Sequence, residues 1–154
     1  ISMGLFLMES LRITRLFPVI GALPDKTRVR MIWITFTILF LLASVEAPPG
    51  GFTAIAANLP YIPTADLAGL APEVRDYEPR VALDGGADGL DFVRELIRQV
   101  AAGGFLGGNG WLYLEIGIGQ AATVEGLLRD AGFVEVASRN DYSRIPRIVA
   151  GRQG

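Results

Sequence analysis

The residues of this chain best suited to chemistry are the run Asn58-Leu59-Pro60-Tyr61, which directly follows a short apolar segment. A carboxamide is both a donor and an acceptor, so Asn58 can pair with an amide or with an exocyclic base amine. The carbonyl of Leu59, stiffened by the proline after it, can accept a second N–H from the same group. Tyr61 supplies a flat wall that excludes water. The run therefore suits the recognition of a planar nitrogen nucleophile.

Holding both hydrogens of such a nitrogen would orient its lone pair toward an incoming methyl group, and alignment of this kind lowers a reaction barrier. The alternative is that Asn58 caps a turn and that Tyr61 belongs to the core. Four residues alone leave this alternative open.

The composition of the chain excludes several kinds of catalytic and binding site. Cysteine and histidine are both absent from the 154 residues, which excludes disulfides, thiol catalysis, zinc sites built on these residues and Ser-His triads. The net charge is −2 and there is no basic block, so nucleic acid is disfavoured as the main partner.

The length of the chain fits about one domain. Because the chain begins with Ile1 instead of methionine, we interpret it as a fragment or a processed product.

The elements that would position the run begin after the break at residues 48–51. Apolar runs predict strands at 52–57, 111–116, 133–138 and 145–150, and amphipathic patterns predict helices at 90–101 and 121–131. The inward positions of the helices are Val93, Leu96, Ile97 and Val100, then Val124, Leu127 and Leu128. Gly132 suits a left-handed cap. The stretch up to Gly89 is loop-like and contains the turn Asp84-Gly85-Gly86. This order predicts the closing half of an open, mostly parallel α/β sheet with an antiparallel hairpin.

The segment 31–45 is apolar and uncharged, with arginines at 28 and 30 before it. Its β-branched and aromatic content favours a buried strand and whatever follows it. Its roughly 15 residues fall short of the ~20 that a spanning helix needs. A membrane anchor with a positive flank is the alternative, so membrane attachment stays open on this segment alone.

Longer motifs around the run closely resemble the release-factor glutamine N5-methyltransferase (HemK/PrmC) family. They are Asn58-Leu-Pro-Tyr-Ile-Pro63, Ala71-Pro-Glu-Val-Arg-Asp-Tyr-Glu-Pro-Arg80, Ala82-Leu-Asp-Gly-Gly-Ala-Asp-Gly-Leu90, Leu112-Tyr-Leu-Glu-Ile-Gly-Ile-Gly-Gln120, Asp130-Ala-Gly-Phe133 and Arg147-Ile-Val-Ala-Gly-Arg152. The resemblance covers residues 49–152. Many amino-methyltransferases share the four-residue motif, whereas the stretch from residue 78 to residue 90 is specific to this family.

The resemblance implies a Rossmann-like class I methyltransferase sheet and methyl transfer from S-adenosylmethionine to the amide nitrogen of the glutamine in a Gly-Gly-Gln loop of peptide-chain release factors. It implies that Asn58 contacts both this amide and the methyl donor, which would make it the catalytic and the cofactor-binding residue. The Leu59 carbonyl would orient the amide, and Pro60 and Tyr61 would shape the slot. No metal is implied, and the expected compartment is the cytoplasm.

The chain departs from the family in two places. The family usually has proline at the position of Leu59, and ribosomal-RNA adenine dimethylases share the version with leucine. More importantly, no acidic-Gly-x-Gly turn for the donor precedes residue 50. Residues 1–48 therefore resemble a diverged, truncated or mistranslated donor-binding part, and residues 49–154 the substrate-binding half. In the diverged part, residues 4–15 weakly resemble the second strand and helix, with Phe6 in place of the ribose-binding aspartate, and residues 25–30 would lead to the third strand.

Two other groups of residues invite a functional interpretation. Glu115-Ile-Gly-Ile-Gly-Gln120 has the strand, glycine turn and helix of a loop that binds the methyl donor. Too few residues follow it to form the remaining strands of such a domain. Tight helix packing after this strand, the fifth of the family's sheet, is therefore favoured. The loop acids Glu73, Asp76 and Glu78 alternate with arginines and are expected on a solvated surface. The rival functions are methylation of another amine such as adenine N6, an inactive protein-binding fragment, and a membrane-tethered protein.

Overall fold

Five strands form one mixed sheet in the computed structural model, which describes the main chain of residues 31–35 and all of residues 47–154. The strands are β1 (Met31–Thr35), β2 (Phe52–Asn58), β3 (Leu106–Glu115), β4 (Val134–Asn140) and β5 (Pro146–Arg152). Their order in the sheet is β1-β2-β3-β5-β4. The first three strands are parallel, and β5 is antiparallel to both of its neighbours. The predicted α/β sheet with a C-terminal antiparallel hairpin is confirmed.

Two longer helices pack on one face of this sheet. They are α2 (Asp91–Gly103) and α3 (Ala121–Asp130), and a single turn, α1 (Pro72–Arg75), precedes them. The predicted stripe of α2 is fully buried, as are Val124 and Leu128 of α3, while Leu127 is half-buried against the same core. These side chains cover the buried residues Ile55, Leu112, Leu114 and Val149 of the three central strands. Burial of this apolar layer holds the carboxyl ends of β2 and β3 in fixed relative positions.

Helix α3 ends as the sequence predicts. Gly132 adopts a positive φ of 88°, and its N–H donates to the carbonyl of Arg129 at 3.0 Å. The N–H of Phe133 donates to the carbonyl of Leu128, also at 3.0 Å, and the Phe133 side chain is buried. This paired arrangement is a Schellman cap, which satisfies the last carbonyls of a helix and turns the chain into the next strand.

Several predicted elements differ from the structure in their bounds or in their type. Strand β3 begins at Leu106 and not at Trp111, because Gly107, Gly108 and Gly110 lie inside the strand and the pairing with β2 shifts register there. The stretch predicted to be a loop contains α1 and two 3-10 helices, Thr64–Gly69 and Arg80–Ala82. The hairpin strands are each displaced by one or two residues toward the C-terminus.

The N-terminal part contributes β1 to the sheet. Residues 31–35 are extended, as predicted, and pair in parallel with β2 from Met31↔Ala54 to Thr35↔Asn58. If β2 is the fourth strand of a doubly wound sheet with the order 3-2-1-4-5-6, its neighbour occupies the place of the first strand. In such a sheet, residues 31–35 would be the first strand and not the third. The weak resemblance of residues 4–15, including Phe6, and the rest of the segment 31–45 lie outside the described residues. Across the part that the structure describes, no helix combines the length and the hydropathy needed to span a membrane.

Candidate active site

The run Asn58–Tyr61 lies at the carboxyl edge of the parallel strands, which is where α/β sheets of this kind bind ligands. Strand β2 ends at Asn58, whose register partners are Thr35 on one side and Glu115 on the other. The three parallel strands thus end at the same level, and the chain leaves β2 across this edge. The structure brings all four predicted residues to one place.

The four residues differ in exposure. Asn58 is exposed, and its carboxamide makes no hydrogen bond within the described residues. Leu59 is only 3% exposed and its side chain belongs to the core, while Pro60 is also buried. Tyr61 is half-buried, and burial is the main cause that raises the pKa of its phenol above the ordinary value. The amide is therefore free to bind a ligand, and its neighbours fix the turn.

Tyr61 lines two cavities. A smaller one, of about 260 Å³, is lined by the whole run Asn58–Tyr61 together with Ala82 and Leu83. A larger one, of about 540 Å³, is also lined by Tyr61, and its charged or polar lining includes Asp66, Asp88, Gln120 and Arg147. Asn58 lines the smaller cavity, and the two cavities share Tyr61 and Ile62 in their linings.

The turn Asp84-Gly85-Gly86 holds the chain that follows the run. The N–H of Ile62 donates to Leu83, and its carbonyl accepts from the N–H of Gly85 at 2.8 Å. One carboxylate oxygen of Asp84 accepts from the hydroxyl of Thr64 at 2.6 Å and from the N–H of Gly86 at 3.1 Å. These bonds lower the pKa of Asp84, the Thr64 hydroxyl being the largest cause. The stretch from residue 78 to residue 90 thus holds the chain next to the candidate site in place through these hydrogen bonds. The sequence did not predict this role.

The turn between β3 and α3 also holds the run Asn58–Tyr61 in place. Gln120, at the N-cap of α3, accepts from the N–H of Gly117 at 2.8 Å and donates to the carbonyl of Tyr61 at 3.0 Å. The motif that imitates a donor loop therefore touches the candidate site. In the sequence, only the glycine turn of this motif pointed to a close contact, and it indicated tight helix packing after the strand.

Glu115 is a partly buried carboxylate close to the run. Burial raises its pKa, and the positive charge of Arg147 lowers it less strongly. The ion pair of Arg147 is formed with Asp141, at 3.3 Å, and no ion pair to Glu115 occurs among the described residues. The negative charge of Glu115 also raises the pKa of Tyr61. An unpaired carboxylate in such surroundings is typical of functional sites.

The acidic loop residues take no part in the candidate site. Glu73, Asp76 and Glu78 are exposed, and Asp76 pairs with Arg75 at 2.8 Å. Over the described part of the chain, no group of acidic side chains is arranged to hold a metal ion.

Part of the chain is similar in sequence to proteins of known name. No protein-family profile matches the chain. Release factor glutamine methyltransferase of Geobacter sulfurreducens is 53% identical over 103 residues, or 67% of this chain and 36% of the relative. The protein of the same name from Gloeobacter violaceus is 46% identical over 106 residues, again 36% of its length. A solved protein-(glutamine-N5) methyltransferase from Alicyclobacillus acidocaldarius has a TM-score of 0.43 and 25% identity, covering 76% of this chain and 55% of that one.

A mixed α/β sheet with three parallel strands, a closing antiparallel hairpin and Asn-Leu-Pro-Tyr at its carboxyl edge has the architecture expected for the closing half of a class I methyltransferase domain. Over about two thirds of its length, the chain is homologous to the release factor glutamine methyltransferases. It spans about a third of the length of these curated relatives.

Proposed function

We propose that residues 49–152 are the substrate-facing half of an S-adenosylmethionine-dependent methyltransferase that modifies the side-chain amide nitrogen of a release-factor glutamine. The observation that carries this proposal is the exposed Asn58 carboxamide at the carboxyl edge of the sheet, without a hydrogen-bond partner among the described residues. The relatives named release factor glutamine methyltransferase support the choice of substrate.

The reaction needs a glutamine amide whose nitrogen faces the methyl group. Asn58 accepts one N–H of this amide through its side-chain oxygen, and the Leu59 carbonyl accepts the other. Pro60 keeps the turn rigid, and the ring of Tyr61 excludes water from the smaller cavity. With both hydrogens held, the nitrogen lone pair points away from them, toward the methyl donor. No strong side-chain base is required for this orientation.

The methyl donor would lie against Asn58. When bound, S-adenosylmethionine would supply a methyl group activated by its positive sulfur and would leave as the neutral thioether, while one of the two amide protons would be released. The Asn58 amide offers a polar contact there, whereas the described residues that precede β2 contain neither the acidic-Gly-x-Gly turn nor the following acidic residue expected of a complete donor site. The residues present therefore fit one edge of the donor, and donor binding by this chain is the first quantity to measure.

The proposed partner is the Gly-Gly-Gln loop of a release factor, and the proposed compartment is the cytoplasm. A glycine-rich loop can bring its backbone close to the edge of the sheet, which suits the space beside Tyr61. Nucleic acid is not proposed as a partner, since the net charge of −2 offers no basic surface for phosphates.

The test uses the purified chain. It is titrated with S-adenosylmethionine in a calorimeter and then incubated with methyl-labelled donor and either a release factor or an adenine-rich RNA. We expect the label on the glutamine of the Gly-Gly-Gln loop, no label when this glutamine is replaced by alanine, and no label on the RNA. Label on the RNA would favour an adenine methyltransferase. Release-factor binding without donor binding would identify an inactive protein-binding fragment and overturn the proposed activity.

A further inference from the structure

Gln120 connects three segments of the chain at the candidate site. Its side-chain oxygen accepts from the N–H of Gly117 at 2.8 Å, and its side-chain nitrogen donates to the carbonyl of Tyr61 at 3.0 Å. The same nitrogen lies 3.4 Å from the carbonyl of Asp88 and 3.5 Å from that of Gly89. One carboxamide thus faces the run that follows β2, the turn before α2 and the turn after β3.

The orientation of this carboxamide is fixed by its neighbours. Its oxygen must face the Gly117 donor, and its NH2 must face carbonyls, because a reversed amide would place oxygen against oxygen and N–H against N–H. Replacement by a carboxylate would keep the acceptor and lose both donors. The bond to Gly117 and the bond to Tyr61 can therefore be separated experimentally.

Close backbone packing makes this connection possible. A Cβ on Gly89 would lie 2.2 Å from the Tyr61 carbonyl oxygen and 2.8 Å from the Gln120 nitrogen. A Cβ on Gly117 would lie 3.0 Å from the Gln120 oxygen and 3.1 Å from the ring of Tyr61. Glycine at both places allows the backbone to approach the Gln120 side chain and the ring of Tyr61. The Gln120 side chain makes no capping hydrogen bond to α3 and instead contacts residues 59 and 31 positions distant in the sequence.

We propose that Gln120 is a positioning residue for the proposed methyl transfer: it fixes the backbone of Tyr61 and thereby the direction in which the Asn58 amide and the Leu59 carbonyl face the substrate. This inference rests on the proposed function. The hydrogen bonds of residues 62–64 to the turn 83–86 hold one side of the run, and Gln120 holds it at Tyr61. A loss of this second support displaces the run without removing any group that touches the substrate.

The test compares Gln120→Leu and Gln120→Glu with the unaltered chain. Gln99→Leu serves as the matched control, since Gln99 also donates a side-chain hydrogen bond, to Glu95 at 2.6 Å, but lies on α2. The first readout is amide hydrogen exchange at Ile62 and Thr64, whose N–H groups bond to Leu83 and Gly86. The second readout is the kinetics of methyl transfer to the release factor, with kcat and KM separated.

We expect both Gln120 variants to speed exchange at Ile62 and Thr64 by about tenfold or more, while exchange in α2 stays unchanged. We expect kcat to fall by on the order of 10²-fold, as for a misplaced reacting group, and Gln99→Leu to change neither quantity. If Gln120→Leu does not fold, Gln120→Glu alone decides the question.

Unchanged exchange at Ile62 and Thr64 would overturn the proposal. It would also fail if Gln120→Glu matched the unaltered chain in both readouts, since the bond to Gly117 would then suffice. If the unaltered chain neither binds nor methylates a release factor, the proposed function fails, and positioning for that substrate fails with it. The exchange result then decides separately whether Gln120 holds the run.

Discussion

Asn58 and Glu115 are register partners at the carboxyl ends of β2 and β3. Paired residues of neighbouring strands direct their side chains to the same face of a sheet, and the preceding residues Ala57 and Leu114 belong to the core on the opposite face. The amide and the carboxylate therefore emerge side by side, away from the helices α2 and α3. The carboxylate lacks an ion pair there among the described residues, and burial raises its pKa.

The raised pKa of Glu115 makes the stability of the chain depend on pH. A carboxyl that holds its proton more tightly in the folded than in the unfolded chain favours folding while it is protonated. This contribution is present below the ordinary value of 4.5 and is lost as the pH rises through the raised pKa. We therefore expect Glu115→Gln to increase the free energy of unfolding at neutral pH and to leave it nearly unchanged at pH values below about 4. Urea unfolding at several pH values measures this difference.

Glu95→Gln is the matched control for this experiment. In the unaltered chain, the Glu95 carboxylate accepts hydrogen bonds from Arg98 and Gln99, and these bonds lower the pKa of Glu95 to about 2. The contribution of Glu95 is thus present above the ordinary pKa and lost as the pH falls toward the lowered one, so its removal should slightly destabilise the chain at neutral pH. Equal effects of the two substitutions at neutral pH would show that Glu115 is not an unfavourably buried charge.

The Asn58 side chain should matter for binding and not for folding. It is exposed and makes no hydrogen bond within the described residues, so Asn58→Ala should change the free energy of unfolding by no more than about 0.5 kcal/mol. Methyl transfer to a release factor should fall on the order of 10²-fold, because the substrate nitrogen is no longer oriented. Asn140→Ala, at the exposed end of β4, is the control and should leave transfer unchanged. A large loss of stability in Asn58→Ala would mean a structural asparagine.

The elements that follow from local patterns were predictable from the sequence. The stripe Val93, Leu96, Ile97 and Val100 has helical spacing, and all four side chains are buried in α2. The cap at Gly132 follows from glycine after an apolar helix face. The edge position of Asn58 follows from the abrupt end of a buried strand.

Features that depend on distant parts of the chain were not predictable. The glycines at 107, 108 and 110 indicate a loop locally, but β3 begins at Leu106, which pairs with Phe52 of β2. The acceptor of the Gln120 amide is 59 positions away, so no local pattern indicates it. The pKa of Glu115 depends on burial and on Arg147, both of which exist only in the folded chain.

Leu59 contributes packing as well as a carbonyl. The family resemblance implies a role for its backbone carbonyl, whereas its side chain is 3% exposed and belongs to the core cluster. Leu59→Ala should therefore lower the free energy of unfolding by about 2–5 kcal/mol, the usual range for a buried leucine. Thermal or urea unfolding measures this loss, and Leu127→Ala, which removes a half-buried leucine from α3, should cost less. A Leu59 variant as stable as the parent would show that its side chain does not pack in solution.

Gly89 tests how closely the turn before α2 approaches the candidate site. Gly89 and Gly119 both have a positive φ, of 78° and 84°, so alanine at either position carries the same backbone cost of about 1–2 kcal/mol. A Cβ at Gly119 meets nothing within 4 Å, whereas one at Gly89 would lie 2.2 Å from the Tyr61 carbonyl oxygen. We therefore expect Gly89→Ala to destabilise the chain by a further 1–3 kcal/mol or so beyond Gly119→Ala, as in overpacked sites. Because the clash displaces Tyr61, Gly89→Ala should also speed amide exchange at Ile62, and Gly119→Ala should not. Equal stability losses and equal exchange in the two variants would contradict this close approach of the backbone to Tyr61.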